Sequence, residues 1–275
     1  MLKRYIVFLK RHPLITASIA IIYAVICIKC IKTETYFQMM LLRTLLCGAM
    51  AFFLYQISGE KTLASSYNST WYVIKVAIGF WIMALPIGII SFVSYAEYPL
   101  WDNVPLQMLI TFGLFMSVGL FEEMAFRAVI NDAIIYRFRD KRYVFVLSAF
   151  ACSFVFGIVH VLGYKLESLL AGGQAIGKVV SVGVFGLGLL FLYWKTRNIW
   201  ACGVVHGVYD FILSAANGVF NNPDADKIEY IVPDDKALMA IAVYAVCTLI
   251  NALIVFIIWK KIGKQIDYEE IRKNW

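Results

Sequence analysis

The sequence has few charged residues and no long polar segment. Of its 275 residues only 25 are Lys or Arg and 18 are Asp or Glu, whereas 61% are hydrophobic. Ordinary soluble domains are about 45–50% apolar, and no part of this chain is polar over enough residues to form such a domain. The scarcity of charge therefore excludes a soluble globular protein and predicts one membrane-embedded domain over residues 1–275.

The sequence also lacks a disulfide framework and an internal repeat. Its six cysteines lie in or beside apolar runs, where we expect them to pack as small apolar residues. Cys27 and Cys30 form a C-x-x-C pair, but no second pair completes a zinc site. What is abundant instead is the apolar run of about 20 residues, the length that crosses a bilayer as a helix.

We predict an all-α, polytopic transmembrane bundle of about eight spans. They cover residues 14–30, 38–57, 73–95, 105–136, 144–163, 174–194, 199–217 and 237–259. Basic residues cluster at alternate span ends, as the positive-inside rule expects of cytoplasmic segments: Lys3, Arg4, Lys10, Arg11, Arg137, Arg139, Lys141, Arg142, Lys195, Arg197, Lys260, Lys261 and Lys264. Both termini are thus predicted to be cytoplasmic, the acidic segment 218–236 lies outside, and the net charge of +7 does not indicate nucleic-acid binding.

Three charged residues within six positions interrupt the fourth predicted span: Glu122, Glu123 and Arg127. A charge at the centre of a bilayer costs about 2.5–3.5 kcal/mol on insertion scales, so such residues are usually paired and functional. In an α-helix Glu123 and Arg127 share a face, whereas Glu122 is turned about 140° away from Arg127. We predict that Arg127 neutralises and orients Glu123 while Glu122 points elsewhere; a purely structural ion pair is the alternative.

Two histidines fall within predicted spans on other parts of the chain. His160 lies near the end of the fifth span, and His206 lies midway along the seventh, one helical turn before Asp210. A lone histidine at this depth is more often a hydrogen-bonded core residue than a catalyst. Together with the charges of the fourth span, however, they are most of the ionisable residues at depth, alongside Arg43 and Lys75, which favours one shared polar site.

In order and spacing, these residues resemble the three motifs of the CPBP intramembrane proteases. The matching patterns are Glu122-Glu123-x-x-x-Arg127, Phe156-x-x-x-His160 and His206-x-x-x-Asp210. This family, also called Abi, includes CAAX-processing endopeptidases and bacteriocin-processing or immunity proteins. The resemblance covers about residues 105–217, which we predict to be the catalytic core. It implies hydrolysis of a peptide or membrane-protein substrate within the lipid bilayer.

The resemblance also implies a role for each motif residue. Glu122 corresponds to the catalytic glutamate that deprotonates a water, His160 would hold that water, and His206 would stabilise the oxyanion. Supporting roles fall to Glu123, Arg127, Phe156 and Asp210. Because an ionised Asp has no proton to donate, we assign Asp210 to orienting His206.

Neither a metal nor another cofactor is expected, but zinc is the competing hypothesis. Two histidines and one glutamate form a known catalytic zinc set, which here would be His160, His206 and Glu122. Against zinc, no H-E-x-x-H run places two ligands on one helix. A thiol mechanism through Cys202 is disfavoured because this cysteine lies in an ordinary apolar run.

Two other functions stay open at this point. The chain could be a non-catalytic membrane partner, such as an immunity protein or a sensor-kinase modulator, that retains the protease fold. It could also be a proton- or ion-coupled transporter, since buried Glu and His chains serve as relays, although transporters usually carry repeats. We expect a bacterial plasma membrane protein, whose substrate would be a leader peptide, a pheromone-like peptide or a signalling protein.

Overall fold

The computed structural model describes residues 2–64, 67–223 and 230–274, and over these residues the chain is helical with no β-strand. The first half contains α1 (Leu2–Arg11), α2 (Pro13–Cys30), α3 (Tyr36–Ser58), α4 (Lys61–Ala64), α5 (Thr70–Tyr95) and α6 (Val104–Glu122). A π-helical segment (Glu123–Ile130) continues α6 into α7 (Asn131–Phe138). The second half contains α8 (Val144–Val159), α9 (Leu169–Thr196), α10 (Ile199–Ser214), α11 (Asp234–Ile262) and α12 (Tyr268–Asn274).

Seven helices of the described chain are long and apolar enough to cross a membrane. They are α2, α3, α5, the continuous helix Val104–Phe138, α9, α10 with its 3₁₀ turn to Gly218, and α11 with its 3₁₀ turn to Gln265. The predicted span 144–163 corresponds to α8, a shorter apolar helix of 16 residues that ends just before His160. The prediction of an all-α polytopic bundle is therefore confirmed, with α8 as a short eighth helix.

Apolar side chains cover the outside of this bundle. Val93, Val146 and Leu249 expose 72%, 74% and 72% of their surface, whereas Glu123, Arg127 and Asp132 are almost completely buried. A soluble protein shows the opposite arrangement, because charged residues are seldom buried and surface apolar patches are small. The chain is an integral membrane protein. Its predicted orientation stays a prediction, and Asp224, Asp226, Lys227 and Glu229 of the acidic segment lie outside the described residues.

Glycines let α6 and α10 approach until their backbones touch. A Cβ on Gly119 would overlap the backbone nitrogen of Gly207 and would lie 2.6 Å from the carbonyl oxygen of Gly203. A Cβ on Gly207 would lie 2.8 Å from the Cα of Met116. Such small-residue contacts are a usual means of close helix packing in membranes. Here they bring the end of α6 beside the middle of α10.

The turn after α6 widens into a π-helix over Glu123–Ile130, and all eight residues of this segment are buried. π-helical turns are rare and occur frequently at functional sites. The segment begins at the second glutamate of the predicted pair, so Glu122 ends an α-helix and Glu123 starts the wider turn. The local backbone therefore changes between the two carboxylates.

A buried polar network joins α4, α7 and the end of α9. Asp132 Oδ2 accepts a hydrogen bond from Thr62 Oγ1 at 2.9 Å and lies 3.6 Å from Arg197 Nη2. Asp132 Oδ1 accepts from Tyr193 at 3.1 Å and from the Asn131 amide at 3.0 Å. Arg197, which the sequence placed in a cytoplasmic loop, is only 2% exposed. This network packs the end of the bundle that the charge pattern assigns to the cytoplasm.

Candidate active site

The site lies where the end of α6, the end of α8 and the middle of α10 meet. Glu122 is the last residue of α6, and His160 follows the last residue of α8. His206 is on α10, between the two glycines that contact α6. The structure thus brings the residues of all three sequence motifs into one region.

A chain of contacts runs from Arg127 through Glu123 to His206. Arg127 Nη1 lies 3.1 Å from Glu123 Oε1, and the same oxygen lies 2.8 Å from His206 Nδ1. The three side chains are 1%, 0% and 4% exposed, so this carboxylate and its two partners are removed from solvent. Arg127 Nε also donates to the carbonyl oxygen of Gly186 at 3.4 Å. The predicted Glu123–Arg127 pair is present, and its carboxylate additionally holds the histidine.

The other nitrogen of His206 faces two further carboxylates. Nε2 lies 3.4 Å from Asp210 Oδ2 and 3.8 Å from Glu122 Oε2. The sequence assigned the orientation of His206 to Asp210, but Glu123 makes the shorter contact, at 2.8 Å. Since an ionised carboxylate only accepts hydrogen bonds, this surrounding favours an imidazole ring that carries a proton on both nitrogens.

Phe156 packs at the centre of the site. The guanidinium carbon of Arg127 lies 3.8 Å from the centre of the Phe156 ring, a cation–π distance. The ring of His160 meets Phe156 edge-on at 4.8 Å, and His206 does so at 5.9 Å. The carbonyl oxygen of Phe156 accepts from His160 Nδ1 at 2.7 Å. This bond fixes the imidazole and leaves Nε2 of His160 available to a ligand or water.

Two cavities, of about 570 and 240 Å³, meet at Glu122 and His160. Both cavities are also lined by Ile28, Arg43 and Tyr230. Ligand pockets are typically about 300–1,000 Å³, so the larger cavity can hold several residues of a peptide. The remaining polar residues along the larger cavity include Lys178, His206, Asp210 and Asn251.

The larger cavity extends away from the Asp132 network. It is lined by Thr33 and Tyr36, at the start of α3, whereas Thr62 of the network follows the end of that helix. Ser214, at the end of α10, also lines it. The larger cavity and the buried Asp132 network therefore lie at opposite ends of α3.

Three lining residues were missed as site residues by the sequence. Arg43 and Lys178 are single charges inside apolar helices, which is the signal that could have identified them. Tyr230 lies in a polar segment with no such signal. Lys178 Nζ lies 3.8 Å from the centre of the Tyr230 ring, and burial raises the pKa of the Tyr230 hydroxyl above its ordinary value.

A zinc site would need three ligands that converge on one point. Among the described residues, no group of three His, Cys, Asp or Glu side chains is arranged to hold a metal. His160 Nδ1 and His206 Nδ1 have partners in Phe156 and Glu123, so only Nε2 of each ring could bind a ligand. Cys202 is fully buried, and its thiol contacts the carbonyl oxygen of Leu189 at 3.8 Å. We therefore derive no step through a metal or a thiol.

The segment that contains these motifs matches a known protein family. Residues 104–212 match the family model of the Rce1-like type II CAAX prenyl endopeptidases. The resemblance to the CAAX-processing CPBP proteases is confirmed by this match. No curated protein and no solved structure matches the chain.

Proposed function

We propose that this chain hydrolyses a peptide bond with Glu122 as the general base. The proposal starts from the match of residues 104–212 to the family model of the Rce1-like type II CAAX prenyl endopeptidases. The observation that carries this assignment is the position of Glu122. It lines both cavities with His160, and its carboxylate lies 3.8 Å from His206 Nε2. Glu123, in contrast, is held in the buried ion pair.

The geometry supports a simple sequence of steps. A water between Glu122 and His160 Nε2 loses a proton to Glu122 while its oxygen adds to the peptide carbonyl carbon. The developing oxyanion accepts a hydrogen bond from His206 Nε2–H, whose ring Glu123 and Asp210 orient. The C–N bond then breaks, and Glu122 returns its proton to the leaving amine. A positioned base contributes about 10²–10⁴-fold, and a preorganised oxyanion donor about 10²–10³-fold.

The first test is a comparison of new peptide termini in cells. Membranes and medium from cells with the wild-type protein are compared with those from Glu122→Gln cells at matched protein levels. We expect a small set of termini that appears only with the wild type, which would identify the substrate and the cleavage position together. Glu167→Gln is the matched control because this glutamate is a solvent-exposed surface residue, 79% exposed.

A specific outcome would favour the non-catalytic hypothesis. If no termini differ, while Glu122→Gln restores the phenotype of a deletion strain, the polar site is structural and the protein acts as an immunity protein or sensor-kinase modulator. If termini do differ, their sequences decide between a leader peptide, a pheromone-like peptide and a signalling protein of the bacterial plasma membrane. A prenylated CAAX segment would be recognised by its C-terminal position.

Removal of metal gives a second prediction about the mechanism. With Glu122 as base and no metal in the reaction, dialysis against 1,10-phenanthroline or EDTA should leave peptidase activity within about twofold, since no protein–metal contact is lost. The measurement is the cleavage rate of the purified protein with the substrate found above, with a zinc protease as positive control. Loss of activity that added Zn²⁺ restores would establish the zinc hypothesis instead.

A further inference from the structure

The π-helical segment Glu123–Ile130 is long for its kind. A π-helix bonds residue i to residue i+5, and it usually forms only a single turn inside an α-helix. Here eight residues adopt it, between α6 and α7. Because each residue turns an α-helix by about 100°, a return to α-helical bonding would rotate α6 and α7 against each other. The directions of Glu122 and Glu123 therefore depend on what holds the two ends of this segment.

The contacts of α6 with α10 hold the first end of the segment. The backbones of the two helices touch at Gly119 and Gly207, and Glu123 Oε1 lies 2.8 Å from His206 Nδ1. These contacts fix the position of α6 at this point, but they do not determine how the residues after Glu123 continue. The register of the segment also depends on its second end, where α7 begins.

Asn131, the first residue of α7, holds this second end. Its side chain is fully buried, and Oδ1 accepts hydrogen bonds from Ser148 Oγ at 2.7 Å and from Trp194 Nε1 at 2.8 Å. Its amide nitrogen donates to Asp132 Oδ1 at 3.0 Å. Because the amide oxygen only accepts and the NH₂ group only donates, these three bonds form in one orientation of the side chain. Asn131 thus ties α7 to α8 and α9.

Asp132 ties α7 to further parts of the bundle. Its two oxygens accept from Thr62 on α4 and from Tyr193 on α9, and Oδ2 lies 3.6 Å from Arg197 Nη2. Rotation of α7 would separate the buried carboxylate from this guanidinium, which is strongly unfavourable. Neither Asp132 nor Asn131 lines either cavity. Their bonds can therefore act on the site only through the helix that carries them.

We propose that Asn131 and Asp132 are positioning residues, which fix α7, hold the π-helical segment in its register and thereby keep Glu122 and Glu123 directed at His206. For its effect on the cleavage rate the proposal rests on the proposed peptidase function, in which Glu122 is the base. The contact of Glu123 with His206, in contrast, can be measured without turnover.

The test observes the imidazole protons of the folded protein by NMR. The chain has only three histidines, His12, His160 and His206, so ¹⁵N-histidine labelling of the protein in nanodiscs gives few signals, and a glutamine variant of each histidine assigns them. A network that only stabilised the fold would leave the signals of the folded state unchanged. A network that positions the glutamates must change the signal of the histidine that contacts them.

Asn131→Leu removes all three hydrogen bonds of Asn131 and keeps much of the side-chain volume. The Nδ1–H proton that His206 directs to Glu123 should disappear from the spectrum. The Nδ1–H proton of His160, which is bonded to the carbonyl oxygen of Phe156, should remain as the internal reference. With the substrate found above, kcat should fall by about 10²-fold, the effect of displacing catalytic groups by roughly 1 Å.

Trp194→Phe is a milder variant that removes only the indole hydrogen bond to Asn131. It should broaden or shift the His206 signal and lower kcat by about 10-fold with KM within about twofold, since no cavity residue changes. Trp101→Phe is the matched control, because it removes an indole hydrogen bond to a backbone carbonyl, at 2.9 Å, in the loop before α6. It should leave the His206 signal and kcat unchanged.

Failure of this proposal is distinguishable from failure of the peptidase function. A wild-type His206 signal in both variants, or in Trp194→Phe where Asn131→Leu does not fold, would overturn the positioning role. An equal change of the His206 signal in Trp101→Phe would do the same. A signal that depends on Asn131, in a wild-type protein that generates no new termini, would support the positioning role and reject the peptidase.

Discussion

Substitution of Arg127 by methionine should lower the free energy of unfolding by about 3–5 kcal/mol, the cost of removing one partner of a buried ion pair. Methionine keeps much of the side-chain volume against Phe156 but removes the guanidinium from the Glu123 carboxylate, which is 0% exposed and retains only His206 as a partner. The measurement is thermal or denaturant-induced unfolding of the purified protein in detergent, followed by circular dichroism. Proteolytic activity should also disappear, because Glu123 contacts His206.

A double variant distinguishes the lost charge pair from lost packing. In Glu123→Gln/Arg127→Met neither member of the ion pair is left charged, and His206 keeps Asp210 and Glu122 near its other nitrogen. The double variant should therefore be more stable than Arg127→Met alone. Arg137→Met is the control: this arginine is exposed on α7, and its replacement should change stability by less than about 0.5 kcal/mol. Wild-type stability of Arg127→Met, or a double variant less stable than either single one, would contradict the role of the pair.

The features that the sequence predicted correctly depend on local periodicity. The length of the apolar runs predicted the spanning helices. Within a bilayer a helix is the structure in which a single segment bonds all of its own backbone polar groups. The spacing of four residues between Glu123 and Arg127 predicted their ion pair correctly. Residues four apart stay neighbours here even though the helix widens into the π-helical segment. Residue order and spacing predicted the resemblance to the CAAX-processing proteases, which the match over residues 104–212 confirms for that segment.

The features that the sequence did not predict depend on distances between helices. The contact of Glu123 with His206 joins residues 83 positions apart, and it exists because Gly119 and Gly207 let α6 and α10 touch. The sequence does not contain the distance between α6 and α10. It could therefore indicate only Asp210, which lies on the same helix, as a partner for His206. The length of α8 was overestimated for a related reason: the apolar residues after Val159 continue in turns, not in a helix.

Charge alone also misplaced one residue of the chain. Arg197 follows the sixth predicted span and counted as a cytoplasmic loop charge, yet it is buried against Asp132. The backbone explains its position: Arg197 adopts a left-handed conformation, with φ of 46°, as it ends α9. The fold therefore turns the side chain back into the bundle, where Asp132 neutralises it. A charge count cannot distinguish such a residue from a solvated one.

The approach of α6 to α10 can be tested with a single methyl group. Gly119→Ala should reduce proteolysis by about 10²-fold, because separating catalytic groups by roughly 1 Å can have that effect. The added Cβ would overlap the backbone of Gly207 and lie 2.6 Å from the oxygen of Gly203. Backbone atoms cannot rotate away as a side chain can, so the helices must move apart. His206 then moves away from Glu122 and Glu123, which α6 and its π-helical continuation carry.

Gly48→Ala is the matched control for this change. Gly48 lies in the spanning helix α3, and a Cβ at that position would meet no atom within 4 Å. Alanine is also the better helix former, so this variant should retain both its stability and its rate. Cleavage rates of the two variants are compared at matched amounts of folded protein, judged by size-exclusion chromatography in detergent. A Gly119→Ala protein that cleaves at the wild-type rate would show that catalysis tolerates a wider helix spacing and that His206 is not positioned by this contact.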